Sequence, residues 1–135
     1  MGPPISALMS PTVVTLALED TVAQAEARFA AYGLTWAPVV EESGTLIGVL
    51  STADLVRLRA EGRDLQRVPA WQLCTYRPIT VAPDTPVRVV AARMVEAGIH
   101  HVVVTDGDRI CGVASSFDVL RAVADGTLTP DARAA

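Results

Sequence analysis

Two short stretches of this chain combine residue types that could do chemistry at a helix end. They are Gly48-Val49-Leu50-Ser51-Thr52-Ala53-Asp54 and Gly112-Val113-Ala114-Ser115-Ser116-Phe117-Asp118, half a chain apart. Each is an apolar run that closes in Ser-x-x-Asp and opens a new apolar-periodic segment, which predicts a strand running into the first turn of a helix. The serine caps such a helix, and an acid three residues later sits where the macrodipole favours negative charge. That accounts for the pattern structurally. A functional reading adds to it, because free N–H groups and a hydroxyl at a helix end can hold a phosphate. His100-His101 is a third candidate. Neighbours in an extended chain point to opposite faces, which argues against a metal held by both imidazoles.

The elements that must position these residues can be read from the periodicity. Residues 1–7 form a short lead with Pro3-Pro4, and Leu8-Met9-Ser10-Pro11 enters a β-rich run from Thr12 to Leu16. Asp20 or Thr21 caps a helix with Val22, Ala25 and Phe29 on one stripe, ended by Gly33. Residues 37–40 and 46–50 are strands joined by a turn with Gly44, and Leu55, Val56 and Leu58 mark a second helix that stops at Gly62. Residues 61–69 read as a polar linker. The pattern then restarts, with Leu73-Cys74-Thr75 answering Leu8-Met9-Ser10 and Asp84-Thr85 answering Asp20-Thr21. Val87, Val90, Ala91, Met94 and Val95 give a helical stripe ended by Gly98. A strand pair around Asp106-Gly107-Asp108 follows, then a helix through Val119, Leu120 and Val123. Residues 127–135 lack periodicity and are expected to be a flexible tail.

Each half is thus β-α-β-β-α, repeat 1 over residues 5–60 and repeat 2 over 70–126. The predicted fold class is α/β (α+β), with two repeats packed in pseudo-twofold symmetry, since a unit of about 60 residues is marginal alone. A chain of 135 residues with half of them apolar is globular, and its mean hydropathy of +0.35 suggests apolar surface held for a subunit interface. No run approaches the roughly 18 apolar residues of a membrane span. A net charge of −4 argues against nucleic acid or an anionic membrane as partner. All eleven basic residues are arginines, which removes the P-loop lysine and Schiff-base chemistry. Residues 1–10 lack the pattern of a signal peptide, so a cytoplasmic location is expected. Cys74 and Cys111 match apolar residues of the first copy and read as core substitutions. No catalytic triad, carboxylate pair or metal cluster stands out, so neither an enzyme nor a cofactor is expected.

The doubled β-α-β-β-α with Gly-h-h-Ser-x-x-Asp (h, apolar) resembles the cystathionine-β-synthase (CBS) domain, as a tandem pair or Bateman module. The first copy carries Leu8-Met9, Asp20-Thr21-Val22, Gly33-Leu34, Pro38-Val39-Val40, Gly48 and Ser51-x-x-Asp54. The second carries Ile79-Thr80-Val81, Asp84-Thr85, Met94-x-x-x-Gly98-Ile99-His100-His101, Val104 and Ser115-x-x-Asp118. The resemblance implies a free-standing, non-catalytic regulatory module that binds AMP, ADP, ATP or S-adenosylmethionine in clefts between the repeats. It also implies a homodimer and an unidentified regulated protein. A ligand-free assembly module is the alternative.

On that resemblance, the implied ligand-binding positions are Thr15, Trp36, Pro38, Ser51, Thr52 and Asp54 in the first copy. In the second they are Thr80, Ile99, His100, His101, Ser115, Ser116 and Asp118. The aspartates would accept from two ribose hydroxyls, and a histidine would contact phosphate or simply pack. With phosphate contact, affinity should strengthen as pH falls through the histidine value of about 6.5. The first copy has Thr35-Trp36 in place of the histidines, with no basic residue in that stretch. Trp36 would stack on adenine or plug the cleft, so the second copy is expected to be the better site. Ala53 and Phe117 offer no hydroxyl, which favours AMP or an adenosyl group over ATP.

Overall fold

In the computed structural model the described residues are 2–128; of the tail expected over 127–135, residues 129–135 lie outside them. Each repeat has the expected element order. The first runs β1 (Leu16–Ala17), α1 (Val22–Tyr32), β2 (Trp36–Val40), β3 (Leu46–Ser51) and α2 (Thr52–Ala60). A short α3 (Ala70–Leu73) and β4 (Thr75–Tyr76) follow. The second repeat runs β5 (Thr80–Val81), α4 (Val87–Ala97), β6 (His101–Asp106), β7 (Arg109–Ser115) and α5 (Ser116–Ala124).

The chain divides into two compact units, and they do not coincide with the sequence repeats. One unit is Val13–Pro78; the other joins residues 2–12 to residues 79–128. Each unit therefore holds one repeat and the leading segment of the other.

In the first unit the sheet order is β1-β2-β3-β4, with β1 parallel to β2 and the other pairs antiparallel. Thr21 caps α1 in a reciprocal box: its Oγ1 accepts from Gln24 N–H at 3.1 Å, and Gln24 Oε1 accepts from Thr21 N–H at 2.8 Å. This satisfies two of the donors a helix start leaves open. Gly33 closes α1 at φ 65°, where an L side chain is strained. Leu16, Val22, Phe29, Val39, Leu50 and Leu58 meet in the core. The linker is more than a polar tether. Val68 is buried, its carbonyl accepts from Val22 N–H at 2.8 Å, and Ala70 N–H bonds Asp20 O at 2.7 Å.

In the second unit β5-β6-β7 form the sheet, and Ile5, Val81, Val87, Val90, Met94, Val102 and Val104 the core. Ser10 bridges Val113 through two main-chain bonds of 2.8 and 3.0 Å. The glycine of the repeated motif is explained by this strand edge. A Cβ on Gly112 would lie 2.6 Å from Met9 Sδ and 2.7 Å from Ser10 O. A Cβ on Gly48 would lie 2.5 Å from Thr75 O, because Thr75–Tyr76 pairs with β3 in the equivalent place. Only a residue without a side chain lets the backbones come that close.

Two expectations need correction. The β-rich run over residues 12–16 yields a strand of two residues, Leu16–Ala17. Val56, Val95, Leu120 and Val123, placed on buried stripes by their spacing, are 67, 83, 65 and 50 % exposed. A helix lying on a sheet buries one stripe, and here Leu55 and Leu58 fill it on α2, and Ala122 on α5.

Candidate functional site

β7 passes into α5 with no loop, so Ser115 is both the last strand residue and the helix cap. Asp118 Oδ2 accepts from Ser115 N–H at 2.8 Å and from Ser115 Oγ at 3.0 Å, while Asp118 N–H donates back to Ser115 Oγ at 3.2 Å. Ser116 N–H is taken by His100 O at 2.8 Å. Among the described residues, the Phe117 N–H is the one donor of that first turn left without an acceptor. The helix end thus offers a single main-chain donor, a narrower anion site than the motif suggests.

The two histidines part company, as an extended chain requires. His101 is half-buried on β6 and stands opposite Ser115 in the sheet register. Burial lowers its pKa below the ordinary 6.5; the neighbouring His100 lowers it further, and Asp118 opposes them. His100 is exposed, with Nδ1 3.4 Å from Ser116 Oγ. With Ile99 and Ser116 it lines a groove between α4 and α5. Thr80 is exposed on β5.

The first copy repeats this corner. Asp54 Oδ2 accepts from Ser51 N–H at 2.8 Å and Ser51 Oγ at 3.0 Å, and Thr52 N–H is taken by Thr35 O at 2.9 Å. Trp36 stands opposite Ser51 in register, the place His101 holds in the second copy. Thr15 carries its carbonyl to Arg28 Nη1 at 2.6 Å. Pro38 is fully buried and presents no surface to a ligand.

Sequence reasoning missed the arginines. Arg57 Nη2 pairs with Asp54 Oδ1, and Arg121 Nη1 lies 3.8 Å from Asp118 Oδ1. A cation therefore stands at both corners, although Thr35-Trp36 contains none. The signal was present as Ser-x-x-Asp-x-x-Arg in both copies, since residues three apart on a helix are neighbours. The corners are not equal. The Asp54 side chain is 10 % exposed and that of Asp118 23 %, and Arg121 is also drawn 4.9 Å over the Phe117 ring.

Each corner thus gathers a carboxylate with a lone pair to spare, a hydroxyl and an arginine, plus His101 in the second copy. Such a set reads a polyol beside an anion. Among the described residues no group of three or more His, Cys, Asp or Glu could hold a metal ion. Burial raises the Cys74 pKa, so it stays a thiol, and Cys111 is half-buried. No helix of the described residues is long and apolar enough to cross a membrane.

Comparison with known proteins agrees with the repeat. The chain is 28 % identical over 120 residues, 89 % of its length, to an A-adding tRNA nucleotidyltransferase of Geobacter sulfurreducens. It spans 13, 16 and 57 % of the length of the three curated relatives that it matches. The CBS domain pair of protein MJ0100, solved with 5′-methylthioadenosine and S-adenosyl-L-methionine, superposes with a TM-score of 0.86 at 23 % identity. That match covers 93 % of this chain and 99 % of the other. CBSX2 in complex with AMP superposes with a TM-score of 0.84 at 22 % identity, over 94 and 100 %. At such identities these two similarities speak for the fold. The family model of the CBS domain matches twice, over residues 5–61 and 70–125. With two matches that take in most of its residues, this chain belongs to the CBS domain family.

Proposed function

We propose that the chain is a non-catalytic regulatory module that binds an adenosine-containing ligand: AMP, ADP, ATP or S-adenosylmethionine. The observation that carries this reading is the twice-built corner, in which Ser115, Asp118, Arg121 and His101 gather at one strand-to-helix junction and Ser51, Asp54 and Arg57 at the other. Asp118 and Asp54 accept from the ribose hydroxyls. Arg121 and His101, with the Phe117 N–H, face a phosphate or another anionic group. Support comes from CBS pairs of the same fold solved with AMP and with S-adenosylmethionine. The more open Asp118 makes the second corner the stronger site. The module acts in the cytoplasm as a homodimer, and ligand biases its interaction with a regulated protein through different affinities for two arrangements.

A thermal-shift screen with AMP, ADP, ATP and S-adenosylmethionine tests the reading. A ligand at 100 times its Kd adds about 2.7 kcal/mol of stability. No shift with any of them at millimolar concentration removes the sensor reading and leaves an assembly module, which the exposed apolar side chains of α4 and α5 favour.

A further inference from the structure

The first turns of α2 and α5 differ most just ahead of the aspartate, where one has Ala53 and the other Phe117. The arginine three residues after each aspartate takes a different place in the two. Arg57 Nη2 donates to Asp54 Oδ1, whereas Arg121 Nη1 stands 3.8 Å from Asp118 Oδ1, past hydrogen-bond reach. The Arg121 guanidinium lies instead over the Phe117 ring, 4.9 Å from its centroid. Exposure of the arginines does not explain the difference, since both side chains are 63 % exposed. Phe117 and Arg121 are four residues apart on α5, where side chains meet on one face, and Ala53 offers Arg57 no ring at the same spacing. An exposed cation–π contact and an exposed ion pair are of the same order in water, so a ring is enough to redirect the guanidinium.

Resting on the proposed function, we propose that Phe117 is a positioning residue that decides which corner binds. Its ring holds Arg121 off Asp118. Oδ1 then keeps its lone pairs for the two hydroxyls of a ribose, and the guanidinium keeps N–H groups for an anionic group of the same ligand. At the first corner Arg57 occupies Oδ1 while Oδ2 already accepts from the Ser51 N–H and hydroxyl, so a diol must displace an internal ion pair before it binds. The carboxylates differ accordingly, Asp118 being 23 % exposed and Asp54 10 %. The second corner thereby selects a diol and an anion together, a nucleoside phosphate in preference to the bare nucleoside.

The test titrates the full chain calorimetrically with adenosine and with AMP. Phe117→Leu should let Arg121 fall onto Asp118 and weaken adenosine by about tenfold, and AMP by more because it loses the guanidinium as well. Adding Arg121→Gln to Phe117→Leu should return adenosine close to its wild-type affinity and leave AMP weak, since the carboxylate is freed and the cation is gone. Phe117→Tyr, which keeps a ring face, should retain both affinities. In an Asp118→Ala background, Ala53→Phe should strengthen adenosine binding at the first corner. A readout without ligand is the NMR shift of the arginine Nε–H protons. That of Arg121 should lie upfield of Arg57 under the ring current and move back in Phe117→Leu, and Ala53→Phe should draw Arg57 upfield. Circular dichroism checks that the variants, all on the exposed side of a helix start, keep the fold. Wild-type affinity in Phe117→Leu, a loss that Arg121→Gln does not restore, or an Arg121 shift indifferent to Phe117 each overturns the proposal. A chain that binds S-adenosylmethionine but neither probe also overturns it and leaves the proposed function standing. A chain that binds none of the three removes the proposed function, and the binding role of Phe117 with it.

Discussion

Asp118 holds its helix and, on the proposed function, its ligand with the same carboxylate. Its Oδ2 is committed to the Ser115 N–H and hydroxyl, and Oδ1 faces Arg121 at 3.8 Å. Asp118→Ala should therefore lower stability by about 1 kcal/mol through the lost cap, read by urea unfolding. It should weaken adenosine-ligand affinity by roughly tenfold or more, since a hydrogen bond to a charged group is worth about 1.5–3 kcal/mol. Asp54→Ala should cost the same stability and less affinity; the reverse ranking would contradict the inequality of the corners. His101 gives a pH signature. Its folded pKa lies below 6.5, so between the folded and unfolded values the unfolded chain binds the extra proton. Stability is full above about 6.5 and declines as pH falls through the folded value. His101→Gln should flatten that slope in denaturation curves taken from pH 7.5 to 5. Affinity for a phosphorylated ligand should rise with falling pH with a midpoint under 6.5, and His101→Gln should remove the rise. The caps at Ser51 and Ser115 were legible in the sequence because capping is local, spanning three residues. Arg57 and Arg121 were equally local. Both stand on the helix after the strand, whereas the resemblance directs a cation to the stretch before it.

At the scale of elements, what the sequence hid is which strand edge each leading segment meets. Periodicity marks Leu8-Met9-Ser10 and Leu73-Cys74-Thr75 as equivalent, yet hydrogen-bond partners far along the chain leave no periodic trace. The structure puts Ser10 against Val113 and Thr75 against Val49. The motif glycines carried that information in a form readable only afterwards, as the place where a side chain would strike a passing backbone. Gly112→Ala and Gly48→Ala should each cost about 1–3 kcal/mol by overpacking, measured by chemical denaturation. At both positions a main-chain carbonyl stands inside contact distance, Thr75 O at 2.5 Å for Gly48 and Ser10 O at 2.7 Å for Gly112, and only the Met9 side chain at Gly112 can give way. The helices were legible in position and not in orientation. Val95 and Met94 both fit an apolar stripe on α4, and only the sheet beneath selects Met94 for the core.

For the whole molecule, positive mean hydropathy, with no membrane-length helix among the described residues, goes with large apolar side chains left exposed, several of them on the second repeat's helices. Val95, Phe117, Leu120 and Val123 on their outer faces are among the large apolar groups the core did not take, with Tyr32, Val56, Trp71, Tyr76 and Ile79 elsewhere. The first repeat places Arg59, paired with Glu26, where the second has Val123, and Val56 where it has Leu120. The same inequality runs through the corners, where Trp36 answers His101 and a closely held Asp54 answers a more open Asp118. Repeats equal in fold have thus diverged in chemistry. The measurement that bears most directly on this account is calorimetric titration of the full chain with AMP and with S-adenosylmethionine, repeated on Asp118→Ala. The account predicts saturable binding of at least one of them and its loss in Asp118→Ala with the fold retained. Absence of binding by both, or binding that Asp118→Ala leaves unchanged, would contradict it.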